Sequence, residues 1–346
     1  MDLDPSPYDR RPSMQSRAIS RALRLGLRPF VNRLPGHPVS IRTARTAVDA
    51  AARLFRADSR VRVEPLIASK SGSDASLRPV TGEWVTPVEP DGPDGAILYL
   101  HGGGYVFCSP RTHRPITTCL AIDNGLPVLV PRYRLAPEHP FPAALDDAVD
   151  AYRLLLARGI PGSRIVVAGD SAGGHLAASL AGEVCRLDLP APAGIVLHSP
   201  WVDLTCELSA AQAQLCHDPY VSLTAARRAG RLYVGEGDFT DPRLSLLTCE
   251  WTAVPPFFIQ VGGGEMLRTE AERLAEVLTA AGASCELQIW AGQMHVFQML
   301  NRVLPEARAA MRETARLIGA AIAAAEAGHP TRSARRPKCK ITVYGE

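Results

Sequence analysis

The stretch Ile165-Val166-Val167-Ala168-Gly169-Asp170-Ser171-Ala172-Gly173-Gly174-His175-Leu176-Ala177-Ala178 constrains this chain more than any other. A β-branched run ends in Gly-x-Ser-x-Gly and passes directly into an alanine- and leucine-rich segment. That pattern predicts a strand, a sharp turn and a helix, with the serine at the apex. Side chains at Gly169 or Gly173 would collide with the neighbouring strand and helix, so glycine is required at both. The turn lifts the Ser171 hydroxyl to the positive end of a helix, where developing negative charge is stabilised. A phosphate loop would need Lys and then Ser or Thr after Gly174. His175 and Leu176 stand there instead, which disfavours nucleotide binding.

Strand and helix patterns alternate around this stretch. Strands are expected at 96–100, 128–131, 164–169, 194–199, 257–261 and 285–290. Helices are expected near 115–124 and at 143–157, 223–234, 269–281 and 306–325. Extended segments at 60–64 and 77–88 come first, followed by a turn at 91–95. Such alternation predicts an α/β fold with a mostly parallel sheet and helices on both faces. The gap from Trp201 to Pro255 is too long for a simple crossover and should hold an inserted helix over one end.

At the N-terminus a helix is expected over 16–30, ended by Pro29 and the Leu34-Pro35-Gly36 turn, and a second over 40–55. On a helical wheel Ile19, Leu23, Leu27 and Phe30 share one face. Arg17, Arg21, Arg24 and Arg28 form the opposite stripe. The stripe reads either as a solvated face or as peripheral contact with an anionic membrane.

Charge is unevenly spread. The net charge of +3 conceals +7 in residues 1–56 and +4 in residues 329–346, leaving −8 in the body between. An acidic globule with basic ends argues against a nucleic-acid groove. With 46% apolar residues the chain can bury a sizeable core. The eight cysteines form no Cys-x-x-Cys pair and no Cys/His metal spacing, so no metal and no other cofactor is expected. No apolar leader core follows Met1, and no apolar run approaches the roughly 20 residues of a membrane span. A cytoplasmic protein is the expectation.

His101-Gly102-Gly103-Gly104 directly follows the expected strand at 96–100. Three glycines leave backbone amides uncovered, as an oxyanion hole beside a nucleophile elbow requires. The amides of Gly103, Gly104 and Ala172 are the candidate donors. A serine hydroxyl needs a base, and the base needs an orienting carboxylate, in the chain order Ser, acid, His. Of the nine histidines, His295 lies in the loop after the strand at 285–290 and before the last helix, where a loop can return to the serine. His101, His113, His139, His175 and His198 precede the candidate acid and read as structural. His37, His217 and His329 fall in cap, insertion and tail. The candidate acid is Glu265, just past the strand at 257–261 at the carboxyl edge of the sheet. Glu270 and Glu272 lie on the following helix and are expected to be solvated.

His101–Gly104, Gly169–Gly174 and the run Tyr133-Arg134-Leu135-Ala136-Pro137-Glu138-His139-Pro140-Phe141-Pro142, in this order, resemble the bacterial hormone-sensitive-lipase-like esterases, and most of all the acetyl-hydrolase and esterase members. The resemblance spans about residues 77–325. It implies an α/β-hydrolase fold with a helical cap, carboxylester hydrolysis, and Ser171, Glu265 and His295 as the catalytic triad. It also implies His101, Gly102, Gly169, Asp170 and Gly173 as motif positions. Three positions depart from the family pattern. Glu265 stands where Asp is commoner, Arg132 replaces a usual Asp, and Cys108 replaces a usual Gly.

The expected organisation is N-terminal cap helices over 1–56, with the first 15 or so residues disordered. A catalytic domain follows over 57–325, with a cap insertion at about 201–255, and then a basic disordered tail over 326–346. The expected activity is hydrolysis of short- to medium-chain acyl or acetyl esters through an acyl-enzyme. The alternatives are a silent ligand-binding member of the fold, an amide or N-acetyl hydrolase, or a long-chain lipase. A small-molecule ester is the expected partner. The sequence leaves oligomeric state open, a homodimer included.

Overall fold

The computed structural model describes residues 12–33, 37–54, 58–68, 78–92, 94–216, 218–251, 254–327 and 339–345. One nine-stranded sheet organises them, in the order β1-β2-β4-β3-β5-β6-β7-β8-β9. Its strands are β1 Val61–Ala68, β2 Val80–Pro87, β3 Ala96–Leu100, β4 Val128–Pro131, β5 Ile165–Asp170, β6 Gly194–His198, β7 Phe257–Gly262, β8 Cys285–Trp290 and β9 Lys340–Tyr344. Strand β2 runs antiparallel to β1 and β4, and every other pairing is parallel.

The central strands are buried on both faces, which is why they read as continuous apolar runs rather than alternating ones. Alternate residues nonetheless serve different cores. Leu98, Leu100 and Val167 pack with the helices α5 (Ala143–Ala157), α6 (Ala172–Arg186) and α9 (Arg268–Ala280). Ile97, Tyr99 and Val166 pack on the other face with α4 (Arg114–Asn124) and α10 (Pro305–Glu326).

Three helices precede the sheet: α1 (Met14–Gly26), α2 (Arg28–Arg33) and α3 (Pro38–Ala51). The single helix expected over 16–30 is two, broken at Leu27. Pro29 lies in the first turn of α2, where its missing N–H costs nothing, so it starts a helix rather than ending one. Ser13 caps α1 through Ser16 N, and Ile19 and Leu23 pack on the cluster containing Trp290, Met294 and Phe297. The 201–255 segment contains two helices rather than one, α7 (Glu207–Leu215) and α8 (Leu223–Val234). The Leu34–Gly36 turn, the tip of the 91–95 turn at Pro93, His217, His329 and residues 1–11 lie outside the described residues.

The tail corrects an expectation of disorder, because residues 340–344 form the edge strand β9. Charge upstream obscured a short β-forming run, Ile341-Thr342-Val343-Tyr344. Ile341 and Val343 pack against the core, and Tyr344 stacks on Trp290 with centroids 4.2 Å apart and planes 2° from parallel. Residues 328–338 lie outside the described residues. Among the described residues no helix is long and apolar enough to cross a membrane.

Candidate active site

Strand β5 delivers Ser171 on a strained turn, with φ 52° and ψ −121°. Such a conformation costs of order 1–3 kcal/mol and persists only when its surroundings enforce it. Here they do. A Cβ on Gly169 would lie 2.2 Å from the Gly173 carbonyl oxygen, and one on Gly173 would lie 2.0 Å from that of Leu100. The crossing of strand and helix is thus closed to any larger residue.

The structure brings the three expected side chains together. The Ser171 hydroxyl donates to His295 Nε2 at 2.9 Å, and His295 Nδ1 donates to Glu265 Oε1 at 3.1 Å. Glu265, fully buried after β7, accepts at Oε2 from the Ser199 hydroxyl at 2.7 Å and from Gly262 N at 3.0 Å. Ser199 in turn accepts from Val296 N at 3.1 Å, so one hydroxyl ties the acid to the histidine loop. Burial by itself would lower the His295 pKa. The Glu265 carboxylate, with smaller help from Asp218 and Asp170, overrides burial and leaves it above the ordinary histidine value.

Gly103 and Gly104 line the same cavity as Ser171 and His295, both at positive φ (116° and 63°). Ala172 is the first residue of α6, where the N–H has no intrahelical partner. Gly102 and His101 play another part. Gly102 N donates to Asp170 Oδ1 at 3.0 Å, and a Cβ there would sit 2.2 Å from Asp170 Oδ2. His101 stacks on Tyr133 at 4.3 Å and donates from Nδ1 to the Gly102 carbonyl. Burial first, then the neighbouring His113, pushes its pKa down to about 3. Both positions therefore shape the glycine loop.

Among the other described histidines, His37 caps α3, its Nδ1 accepting from Val39 N. His113 donates to Asp170 Oδ2 at 3.1 Å. His175 bridges Tyr105 and the Leu244 carbonyl, His198 meets Thr314, and His139 is exposed. Glu270 overturns an expectation. It is completely buried, its Oε2 accepting from Val202 N and Asp203 N at 2.7 and 2.8 Å and its Oε1 accepting from the Ser209 hydroxyl of α7. A helical wheel cannot see that α7 folds over that face of α9. Glu272 is half-buried beside Arg268.

Two of the departures acquire a physical meaning. Cys108 has φ 74°, a backbone region that favours glycine, so the thiol is carried at a cost in strain. Burial pushes that thiol up to about 12, which disfavours the nucleophilic thiolate. Arg132 is exposed, and its guanidinium lies 3.9 Å from the Asp49 carboxylate. The Tyr133–Pro142 run works as a brace. Arg134 forks onto Asp147, and Glu138 meets Arg45 of α3 at 2.8 Å.

Sequence reasoning missed Ser199, Asp218 and Tyr220. Ser199 carried one usable signal, its place at the carboxyl end of a central strand. Asp218 and Tyr220 sit in the insertion and carried none. Asp218 Oδ1 accepts from Tyr220 N and Val221 N, and the Tyr220 hydroxyl donates to the His295 carbonyl. Above Ser171 lies a cavity of about 420 Å³ with largely apolar walls, among them Leu27, Val31, Ile41, Phe107, Trp201 and Leu232.

Residues 97–299 match the family model described as the alpha/beta hydrolase fold. The chain is 38% identical over 231 residues to an acetyl-hydrolase of Streptomyces hygroscopicus, covering 67% of this chain and 77% of that one. It is 30% identical over 273 residues to an esterase of Acinetobacter venetianus, covering 78% and 86%. A crystal structure of an esterase from the bacterial hormone-sensitive lipase family superposes with a TM-score of 0.79 at 32% identity, covering 90% of this chain and 99% of that one. With its fold and its family both shared with these proteins, the chain belongs to the α/β hydrolases, among the hormone-sensitive-lipase-like esterases that cleave carboxylic esters.

Proposed function

We propose that the chain hydrolyses short- to medium-chain acyl esters, acetyl esters included, through a Ser171–His295–Glu265 triad and an acyl-enzyme. The observation that carries this reading is the unbroken hydrogen-bond chain from Ser171 through His295 to Glu265, opening onto an apolar cavity. His295 takes the Ser171 proton as the oxygen attacks the ester carbonyl. The oxyanion rests against the Gly103, Gly104 and Ala172 amides. His295 then protonates the leaving alcohol, and a water activated by the same imidazole clears the acyl group from Ser171. Glu265 holds the imidazole tautomer and stabilises the imidazolium.

The cavity, at about 420 Å³, lies toward the small end of ligand pockets, which run from roughly 300 to 1,000 Å³. Helices α1–α3 and the 201–255 insertion act as its cap. A small acyl chain fits this volume better than a long one. The test is initial rates on p-nitrophenyl esters from acetyl to palmitoyl, beside Ser171→Ala. Rates peaking at short chains and absent in the variant are expected, whereas rates rising toward palmitoyl would make the protein a lipase. No serine-dependent turnover, together with no fluorophosphonate labelling of Ser171, would make it a silent binding protein.

Peripheral membrane contact is a second reading, favoured by α1. Its Met14 and Leu25 are 76% and 71% exposed beside exposed Arg17, Arg21 and Arg24. Salt-sensitive binding to anionic liposomes that is lost on deleting residues 1–30 tests it, and binding unchanged by the deletion removes it.

A further inference from the structure

The edge of the sheet holds a second pair of chemically competent side chains, far from Ser171 in sequence and not used by the hydrolysis. Strands β8 and β9 pair in parallel with Glu286 opposite Lys340, so the preceding residues, Cys285 and Cys339, stand opposite each other where the pairing begins. Opposite residues on neighbouring strands lie about 4.8 Å apart. That is inside the roughly 4.4–6.8 Å Cα range a disulfide spans. Neither cysteine is in a disulfide, and the strand register sets the two free thiols side by side.

We propose that Cys285 and Cys339 are a thiol–disulfide modification site, whose oxidised form pins the C-terminal strand to the sheet. The two cysteines are unequal in the way such a pair needs. Cys339 is half-buried and reachable from solvent, while Cys285 is 3% exposed. The Cys285 thiol beside it holds the Cys339 thiol below its ordinary range. The same contact holds Cys285 above its own. Cys339 is therefore the attacking thiolate and Cys285 the resolving thiol.

The co-reactant is a low-molecular-weight disulfide. The Cys339 thiolate attacks one of its sulfurs, forming a mixed disulfide and expelling one small thiolate. Cys285 loses its proton to that thiolate and attacks the Cys339 sulfur, expelling the second small thiolate. Two protein thiols are oxidised and one small disulfide is reduced to two thiols.

The strand so pinned is not a free end. Tyr344 stacks on Trp290, and the Tyr344 carbonyl accepts from Ala291 N at 2.7 Å, at the root of the loop that carries His295. The clip thus secures the far end of a strand whose near end buttresses the histidine loop.

The experiment equilibrates the full chain in glutathione buffers from fully reduced to fully oxidised. Acid quenching and alkylation under denaturing conditions follow, then a non-reducing peptide map. The expected result is a linked 285–339 peptide pair, lighter by two hydrogens than the sum of its parts and released by dithiothreitol. Cys339→Ser removes the link, and Cys185→Ser, at an exposed cysteine on α6, leaves it. Amide exchange across 340–344 slows on oxidation. Both thiols remaining alkylatable in the fully oxidised buffer, or glutathione remaining on Cys339 with no link, overturns the site. Exchange unchanged by the link overturns the pinning.

Discussion

Asp170 Oδ1 accepts the backbone N–H of Gly102 at 3.0 Å, so the residue just before Ser171 also fixes the loop proposed to hold the oxyanion. The carboxylate is buried and takes two further donors, the Tyr99 hydroxyl at 2.6 Å and His113 Nε2 at 3.1 Å. Burial alone would raise its pKa. The His113 contact, with Tyr99 and Gly102, reverses that and brings it to about 2.

Replacing Asp170 by Ala leaves those donors buried without an acceptor. Each orphaned donor costs about 1–3 kcal/mol, so a loss of several kcal/mol in urea unfolding is expected, together with a fall in kcat. Because the folded pKa is depressed, the wild-type stabilisation is complete above the unfolded value near 3.8 and fades as pH falls toward 2. Wild type and variant should therefore converge in stability at the acid end. Curves that stay parallel down to pH 2 would refute this role.

The proposed triad separates into unequal contributions. Ser171→Ala is expected to remove turnover by about 10⁶-fold in kcat, since no other group supplies the nucleophile. Glu265→Gln keeps the Ser199 and Gly262 contacts but presents the wrong tautomer to His295, so a loss of about 10⁴-fold is expected. Single-turnover kinetics on p-nitrophenyl acetate measures both. Near-full activity in Glu265→Gln would mean that another carboxylate serves.

Much of this arrangement was legible in the sequence, for a physical reason. An elbow needs glycines at fixed offsets, and a parallel sheet places catalytic loops at strand ends, so Ser171, Glu265 and His295 follow from chain order. Contacts made across chain-distant elements left no such trace. Nothing periodic marks Ser199 as the bridge between Glu265 and the histidine loop, or Glu270 as buried beneath α7. The β9 strand was hidden because a five-residue edge strand is too short to outweigh the charge around it.

Neighbouring carboxylates hold His295 above the ordinary histidine value, and one of them, Asp218, belongs to the 201–255 segment. As the proposed base, His295 must be neutral to accept a proton from Ser171. The acid limb of kcat/KM should therefore lie above pH 6.5 or so, with activity lost as pH falls through it. Asp218→Asn keeps an oxygen for Tyr220 N and Val221 N but removes the charge, so the limb should move to lower pH with the maximal rate little changed. An unmoved limb would mean that Asp218 is not felt at His295.

Glu270 makes stability depend on pH in the opposite sense from Asp170. Burial raises its pKa to about 8, outweighing the bonds from Asp203 N, Ser209 and Val202 N. Between the unfolded value near 4.5 and about 8, the folded state holds a proton that the unfolded chain has released. Stability must then fall as pH rises through that window and level off above it, by a few kcal/mol in order of magnitude. Glu270→Gln is neutral throughout. Its oxygen can accept from Val202 N and Asp203 N, and its amide can donate to Ser209. Urea melts at pH 5 to 9 should show a slope in wild type that the variant lacks, with the variant gaining most at the alkaline end. If the two slopes match, Glu270 is ionised in the fold, and α7 is held to α9 by a charged anchor instead of a neutral one.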